Sequence, residues 1–167
     1  MTSHPDPPPP LARRQPGEAY QAARLRWAAL TDAERLTKLY AAARPEQPES
    51  IADMSDWLEH GGALLLENRT GDLLSALRWR EAGEGWLVDR IATLPDERGQ
   101  GFGRWLMTKV EALAIRSNIP SLTLQLKGHE LLGYYRRLGY RIVKEEGEHL
   151  TLCKQVGGVW QYKETRA

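Results

Sequence analysis

The stretch of this chain that points most directly to chemistry reads Leu94-Pro95-Asp96-Glu97-Arg98-Gly99-Gln100-Gly101-Phe102-Gly103-Arg104. Three glycines in five positions remove the side chains that would keep an anion away from backbone amides. Hydrophobic periodicity puts this run between the end of a strand and the start of a helix. Unpaired N–H groups and the positive end of the helix dipole converge there. Arg98 and Arg104 add permanent charge and forked donors, an asset for phosphate that a simple tight turn would not need. The chemistry expected is the binding of a di- or polyphosphate. Two familiar phosphate loops are excluded by spacing. A Walker loop requires Lys and then Ser or Thr after its last glycine, where this chain has Arg104-Trp105. A dinucleotide fingerprint requires G-x-G-x-x-G and an acidic residue ending the next strand; here the spacing is G-x-G-x-G and that strand ends at Lys127.

Other reactive side chains are few. Tyr134 and Tyr135 both lie three or four residues from Leu131 and Leu138, so helical spacing does not say which of them faces the core. Asp89 is an in-strand carboxylate, with Glu81 and Glu84 in the turn before it; pairing with Arg90 or Arg80, or plain exposure, is its ordinary role. Cys153 is the sole cysteine, cannot form an internal disulfide and reads as a strand residue. The four histidines are scattered and no Cys/His cluster has metal-ligand spacing, so no metal is expected. Tyr40, Trp57, Trp79 and Trp27 recur at core spacing, and Arg78 with Arg80 forms a charged strand face expected to be solvated.

The elements that must position these residues follow from pattern. A short strand from Leu25 to Ala28 leads to a capping box, Thr31-Asp32-Ala33-Glu34, and a helix carrying Leu36, Leu39, Tyr40 and Ala43. Pro45 and Pro48 end it. Ser50 caps a second helix bearing Ile51, Met54, Trp57 and Leu58, which Gly61-Gly62 terminates. A meander follows: Ala63–Glu67, Leu73–Arg80 and Trp86–Leu94, with turns at Asn68–Gly71 and Glu81–Gly85. A helix over Gly101–Ile115 and a strand over Ser121–Leu126 then imply a right-handed crossover between parallel neighbours. A helix near Glu130–Leu138, stopped by Gly139, precedes a hairpin, Tyr140–Lys144 and His149–Lys154. The fold class is α/β, an α+β mixed sheet with helices on it.

Length and composition bound the rest. The chain has 167 residues, 41% of them hydrophobic and 27% charged, enough for one domain with its own core. With 23 Lys+Arg against 22 Asp+Glu, the balance argues against broad electrostatic binding of nucleic acid. No apolar run nears the ~20 residues of a membrane span, and the proline-rich start has no signal-like apolar segment, so the cytoplasm is expected. Residues 1–17 hold six of the ten prolines and read as a solvated tail; 18–155 is the domain and 156–167 an extension that adds a strand or packs on a second subunit of a homodimer.

On these residues the chain resembles the Gcn5-related N-acetyltransferases (GNAT). Arg98-Gly99-Gln100-Gly101-Phe102-Gly103, with Leu94-Pro95 before it, is similar to their Gln/Arg-x-x-Gly-x-Gly/Ala signature for acetyl-coenzyme A. Tyr135-Arg136-Arg137-Leu138-Gly139-Tyr140 matches their Tyr-x-x-x-Gly-Phe/Tyr helix end. The resemblance spans roughly residues 24–155. It implies a mostly antiparallel sheet with one parallel pair splayed at the acetyl-coenzyme A site and helices on both faces. It also implies that amides from Gly99 through Arg104 hold the pyrophosphate and that the backbone of Ala92, Thr93 and Leu94 pairs with the pantetheine arm. Thr31–His60 would wall the acceptor pocket. Tyr135 would be the general acid, since a phenol of pKa about 10 nearly matches a thiolate leaving group. Two family positions are altered, and the second leaves Asp89, the in-strand carboxylate nearest the presumed thioester site, as a candidate base. Gly128 stands where an Asn often contacts pantetheine, and Thr123 where some members carry a Glu. The implied activity is acetyl transfer from acetyl-coenzyme A to a primary amine of a small molecule or peptide by direct attack. A non-catalytic acyl-coenzyme A-binding module is the alternative.

Overall fold

The structure is a computed structural model that describes residues 23–157. The expectations for residues 1–17, and for the extension beyond Gly157, lie outside the described residues. Seven strands form one sheet in the order β1-β2-β3-β4-β5-β7-β6. They are β1 (Arg24–Trp27), β2 (Gly61–Glu67), β3 (Leu73–Ala82), β4 (Gly85–Thr93), β5 (Ser121–Lys127), β6 (Arg141–Glu146) and β7 (His149–Gln155). The helices are α1 (Ala33–Ala43), α2 (Ile51–His60), α3 (Phe102–Arg116) and α4 (Leu132–Arg137). β4 and β5 are the single parallel pair among the described strands, joined through α3, and the other neighbours run antiparallel. The mixed sheet expected from the sequence is the one observed. Among the described residues no helix is long and apolar enough to cross a membrane.

Alternation along the central strands feeds two cores. Leu64, Leu66, Leu77, Leu122 and Leu124 pack with Phe102, Leu106, Val110 and Ala114 of α3 and with Leu132 and Tyr135 of α4. On the other face Ala63, Leu65, Leu73 and Ala76 meet Leu36, Leu39, Tyr40 and Met54 from α1 and α2. Helices therefore cover both faces, and β3 is buried continuously from Leu73 to Trp79. Val156 joins the first core, and its N–H donates to the Pro120 carbonyl.

Two local expectations need correction. The first helix does not start on a Thr31 box. Thr31 is exposed in a single 3-10 turn, and Asp32 instead accepts from the Ala29 N–H while the fork of Arg26 takes both of its oxygens at 2.8 and 2.6 Å. An ionised carboxylate held by a guanidinium fork is a stronger acceptor for a backbone N–H than a neutral hydroxyl. Gly61-Gly62 ends α2 as expected: Gly61 follows His60 as the C-cap and at once begins β2. The solvated charged face is overturned at Arg78, which is 2% exposed. Alternation identifies the face of a strand but not what will lie on it, and α1 and α2 lie on this one. Ser50 caps α2 as expected: its hydroxyl accepts from the Asp53 N–H at 3.0 Å and the Asp53 carboxylate accepts from the Ser50 N–H at 3.2 Å.

Arg26 also donates to Glu67 at 2.8 Å, and Arg35 supports the same two carboxylates. Hydrogen bonds from Arg26 hold Asp32 and Glu67 below the usual carboxylate range. Their folded pKa values are thus lower than the unfolded ones, so the stability they contribute is present above the unfolded pKa and is lost as pH falls through the folded one. Arg26→Met is expected to cost about 2 kcal/mol at pH 7 and to flatten the decline in melting temperature between pH 5 and 3. Thermal unfolding of both proteins across that range is the measurement, and an unchanged acid profile would remove the network from the account.

Candidate active site

The glycine loop does what its spacing requires. After Thr93 the chain makes one 3-10 turn, Pro95–Glu97, and reaches α3 through Gly99 (φ 81°) and Gly101 (φ 84°). That left-handed backbone is strained for residues with a Cβ. Phe102 is buried in the core and fixes the start of the helix, so it can offer a ligand only its amide. Phe102, Gly103 and Arg104 form the first turn, whose N–H groups have no carbonyl within the helix to bond. Gln100 braces the loop by donating to the Glu97 carboxylate at 2.6 Å. Arg104 is exposed, and Arg98, also exposed, reaches back to the Ala43 carbonyl at the end of α1 at 3.1 Å.

Upstream of this loop the parallel pair comes apart. Trp86, Leu87 and Val88 pair with Leu122, Thr123 and Leu124, and the register ends there although both strands continue. The cause is a bulge in β4. Ala92 lies opposite Ala76 and Asp89 opposite Arg78, so β4 carries one extra residue between them. Arg90 absorbs it with φ 43°, a value uncommon outside glycine. It is pinned from both ends: the Tyr40 hydroxyl donates to its carbonyl, and its guanidinium donates to the Gln47 carbonyl at 3.0 Å.

A cleft of about 400 Å³ opens between the diverging strand ends. Val88 to Ile91 line one wall, Leu124 to Gly128 the other, with Tyr135 and Leu131 from the α4 region and Arg44 and Gln47 from the loop after α1. Both residues given catalytic roles from sequence, Tyr135 and Asp89, therefore border one cavity. Tyr135 is 7% exposed, and burial pushes its phenol up to about 12, with Arg44 pulling slightly the other way. Its ring packs edge-on to Tyr134 and Tyr140. The helix that sequence left ambiguous thus buries Tyr135 more deeply than Tyr134.

Asp89 is paired, but not with Arg90 or Arg80 as expected. Nε and Nη2 of Arg78 converge on its Oδ2 at 3.0 and 2.6 Å. The same guanidinium takes both oxygens of Glu49 at 2.9 and 2.7 Å and lies over the rings of Trp57 and Tyr40, 4.1 and 5.3 Å from their centroids. None of Tyr40, Trp57, Trp79 and Trp27 lines the cleft: Tyr40 and Trp79 are core, Trp57 covers Arg78, and Trp27 packs edge-on to Trp79.

The strand edge expected to meet an extended ligand is more selective than Ala92-Thr93-Leu94. The Leu94 N–H donates to the Leu74 carbonyl and the Ala92 carbonyl accepts from the Ser75 hydroxyl, so both are used by β3. Alternation turns the backbone groups of Thr93 and Ile91 to the open edge. The two altered family positions also gain a physical account. Gly128 has φ 78°, a region that glycine and asparagine enter most readily, so the backbone survives the loss of the amide side chain. Thr123 lies where β4 and β5 are still paired and does not line the cleft. Arg44 and Gln47 fall in the Thr31–His60 stretch expected to wall the acceptor pocket but were not singled out, and sequence reasoning missed Gln125, Lys127 and His149 as cleft residues and Glu49 as the second carboxylate on Arg78. Arg44 directly before Pro45, at the end of an amphipathic helix, was the one available hint. Among the described residues one cluster could hold a metal ion, Asp56, Glu59 and His60, all exposed and none lining the cleft.

Residues 60–142 match the acetyltransferase (GNAT) domain family. An S-alkylcysteine N-acetyltransferase of Bacillus subtilis (strain 168) is 34% identical over 143 residues, which cover 72% of this chain and 80% of that one. Among solved structures, the ribosomal-protein-S18-alanine N-acetyltransferase from Escherichia coli superposes with a TM-score of 0.72 at 15% identity, over 80% of this chain and 94% of that one. The PaiA N-acetyltransferase from Thermoplasma acidophilum, in complex with coenzyme A, gives 0.65 at 13% identity, over 80% and 99%. The structures establish a shared fold, while the domain match and the Bacillus relative establish kinship. By that kinship the chain belongs to the GNAT family of N-acetyltransferases.

Proposed function

We propose that the protein transfers an acetyl group from acetyl-coenzyme A to the primary amine of a small amino acid, in the cytoplasm and without a metal. The observation that carries this reading is the continuity of β4: one strand lines the cleft at Asp89–Ile91 and runs directly into the glycine loop. A ligand with a phosphate head and an extended amide arm fits that path. Its pyrophosphate would take the amides of Gly99 through Arg104, and its arm would complete the open edge at Ile91 and Thr93. The relative named for S-alkylcysteine supplies the acceptor class.

In this reading the amine nitrogen attacks the thioester carbonyl, the C–S bond breaks, and the departing sulfur takes the Tyr135 proton. Asp89, oriented through Oδ2 by Arg78, removes a proton from the nitrogen directly or through water. No covalent enzyme intermediate is needed, and Cys153 stays a strand residue of β7.

Calorimetric titration with acetyl-coenzyme A, beside free coenzyme A and ATP, tests the binding half. Micromolar affinity confined to the coenzyme forms is expected, with Arg98→Glu about tenfold weaker through lost charge at the loop. Equal affinity in that variant would contradict the assignment of the loop.

A further inference from the structure

The cleft holds one cation that the fold leaves almost unused. Besides Tyr135, six charged or titratable side chains border it: Arg44, Asp89, Arg90, Lys127, Glu130 and His149. Asp89 is paired with Arg78, which it shares with Glu49, and Arg90 faces Glu49 at 3.5 Å while donating to Gln47. Lys127, Glu130 and His149 are exposed and hydrated. Arg44 differs from all of them. It is half-buried, no carboxylate lies within ion-pair distance among the described residues, and its one side-chain hydrogen bond is a 3.4 Å contact to the Ile91 carbonyl. A guanidinium has five donors in a planar fork, and partly desolvating it without an anion is unfavourable. Its charge also acts on the phenol of Tyr135, so it stands at the reacting end of the cleft.

We infer that Arg44 binds the carboxylate of the acceptor, and that the enzyme therefore selects free α-amino acids over amines lacking a neighbouring carboxylate. This rests on the acetyl-transfer reading above and adds the residue that sets acceptor specificity. The chemistry fits the spacing. In an α-amino acid the amine nitrogen lies about 2.5 Å from the carboxylate carbon, so a forked grip on the carboxylate also fixes the nucleophile. Arg44 and Asp89 border the same cavity, one suited to the anion and the other to the ammonium group. The bulge in β4 contributes too, because Arg90 holds the Gln47 carbonyl and so the loop that follows Arg44. Coenzyme phosphates are the other anions that could reach Arg44, since Arg98 touches the adjacent Ala43.

The test compares S-methylcysteine with S-methylcysteine amide as acceptors, following thiol release with saturating acetyl-coenzyme A. Wild type should favour the free acid by about 30-fold in kcat/KM, the scale of a charge-assisted contact. In Arg44→Met the ratio should fall to within threefold of one, with the KM for acetyl-coenzyme A changed less than twofold. A wild-type ratio near one overturns the inference even if the variant does not fold. A preserved ratio in Arg44→Met also overturns it, and so does a loss confined to the acetyl-coenzyme A KM, which would assign Arg44 to the coenzyme. Absence of transfer to any amine, by either protein, would instead sink the acetyl-transfer reading and this inference with it.

Discussion

Replacing Tyr135 by phenylalanine is expected to lower kcat by about 100-fold while leaving the affinity for acetyl-coenzyme A within twofold. The change removes one oxygen and keeps the ring that packs against Tyr134 and Tyr140, so the core should not notice it. On the proposed mechanism the phenol gives a proton and binds nothing, so the effect should appear in chemistry alone. Burial raises its pKa to about 12, which keeps it protonated throughout the working range. Two pH signatures follow. The rate should show no alkaline limb from this group below about pH 10. Stability behaves differently. The folded pKa exceeds the unfolded one, so the contribution is complete below the unfolded value and is lost as pH rises through the folded value. Tyr40 and Tyr140, also pushed up by burial, should fail over the same alkaline range. Steady-state kinetics and calorimetry on the variant decide the matter. A rate within threefold of wild type would remove Tyr135 from the mechanism.

Arg78→Met is expected to destabilise the protein by about 3–5 kcal/mol, the largest single-residue effect on stability foreseen here. Arg78 is 2% exposed and pairs with two carboxylates at once. Removing it leaves Asp89, with a side chain 32% exposed, without its cation, and Glu49, at 16%, with only the longer contact to Arg90 at 3.5 Å. The stacking over Trp57 and Tyr40 is lost as well. Lysine should not rescue the loss, because an ammonium cannot span both carboxylates as the fork does. The damage should extend to activity. Glu49 anchors the segment between α1 and α2 that brings Gln47 to the cleft, and Asp89 loses its orienting partner. Urea unfolding measures the first effect. Adding Glu49→Gln and Asp89→Asn to Arg78→Met should recover part of the loss, since the uncompensated charges then disappear. A change under 0.5 kcal/mol in the single variant would show that water reaches and solvates this cluster.

Much of the scaffold was legible in the chain because it rests on local rules. The glycines before Phe102 specify a backbone that few other residues adopt, and Ser50 with Asp53 specifies a helix start. Alternation over Leu122, Leu124 and Leu126 specifies a strand, and the helix between two strands specifies the parallel pair. Even the position of Tyr135 was legible, though only through resemblance, since its spacing from Leu131 and Leu138 was shared with Tyr134.

What tertiary structure alone decided is who meets whom. Asp89 was visible as a carboxylate, but its partner Arg78 sits on the neighbouring strand and Glu49 on a segment 29 residues from Arg78. Alternation placed Arg78 on a face without saying that α1 and α2 would bury it. The bulge at Arg90 leaves no compositional mark, because the residue is neither glycine nor asparagine and its positive φ is imposed by Tyr40 and Gln47. The cleft opens where that bulge parts the strands, and Arg44 borders it only because a space forms beside it there. Local sequence sets the conformation of each element through short-range sterics and hydrogen bonding. Charge pairing and cavities arise between elements distant in the chain, and packing alone determines them.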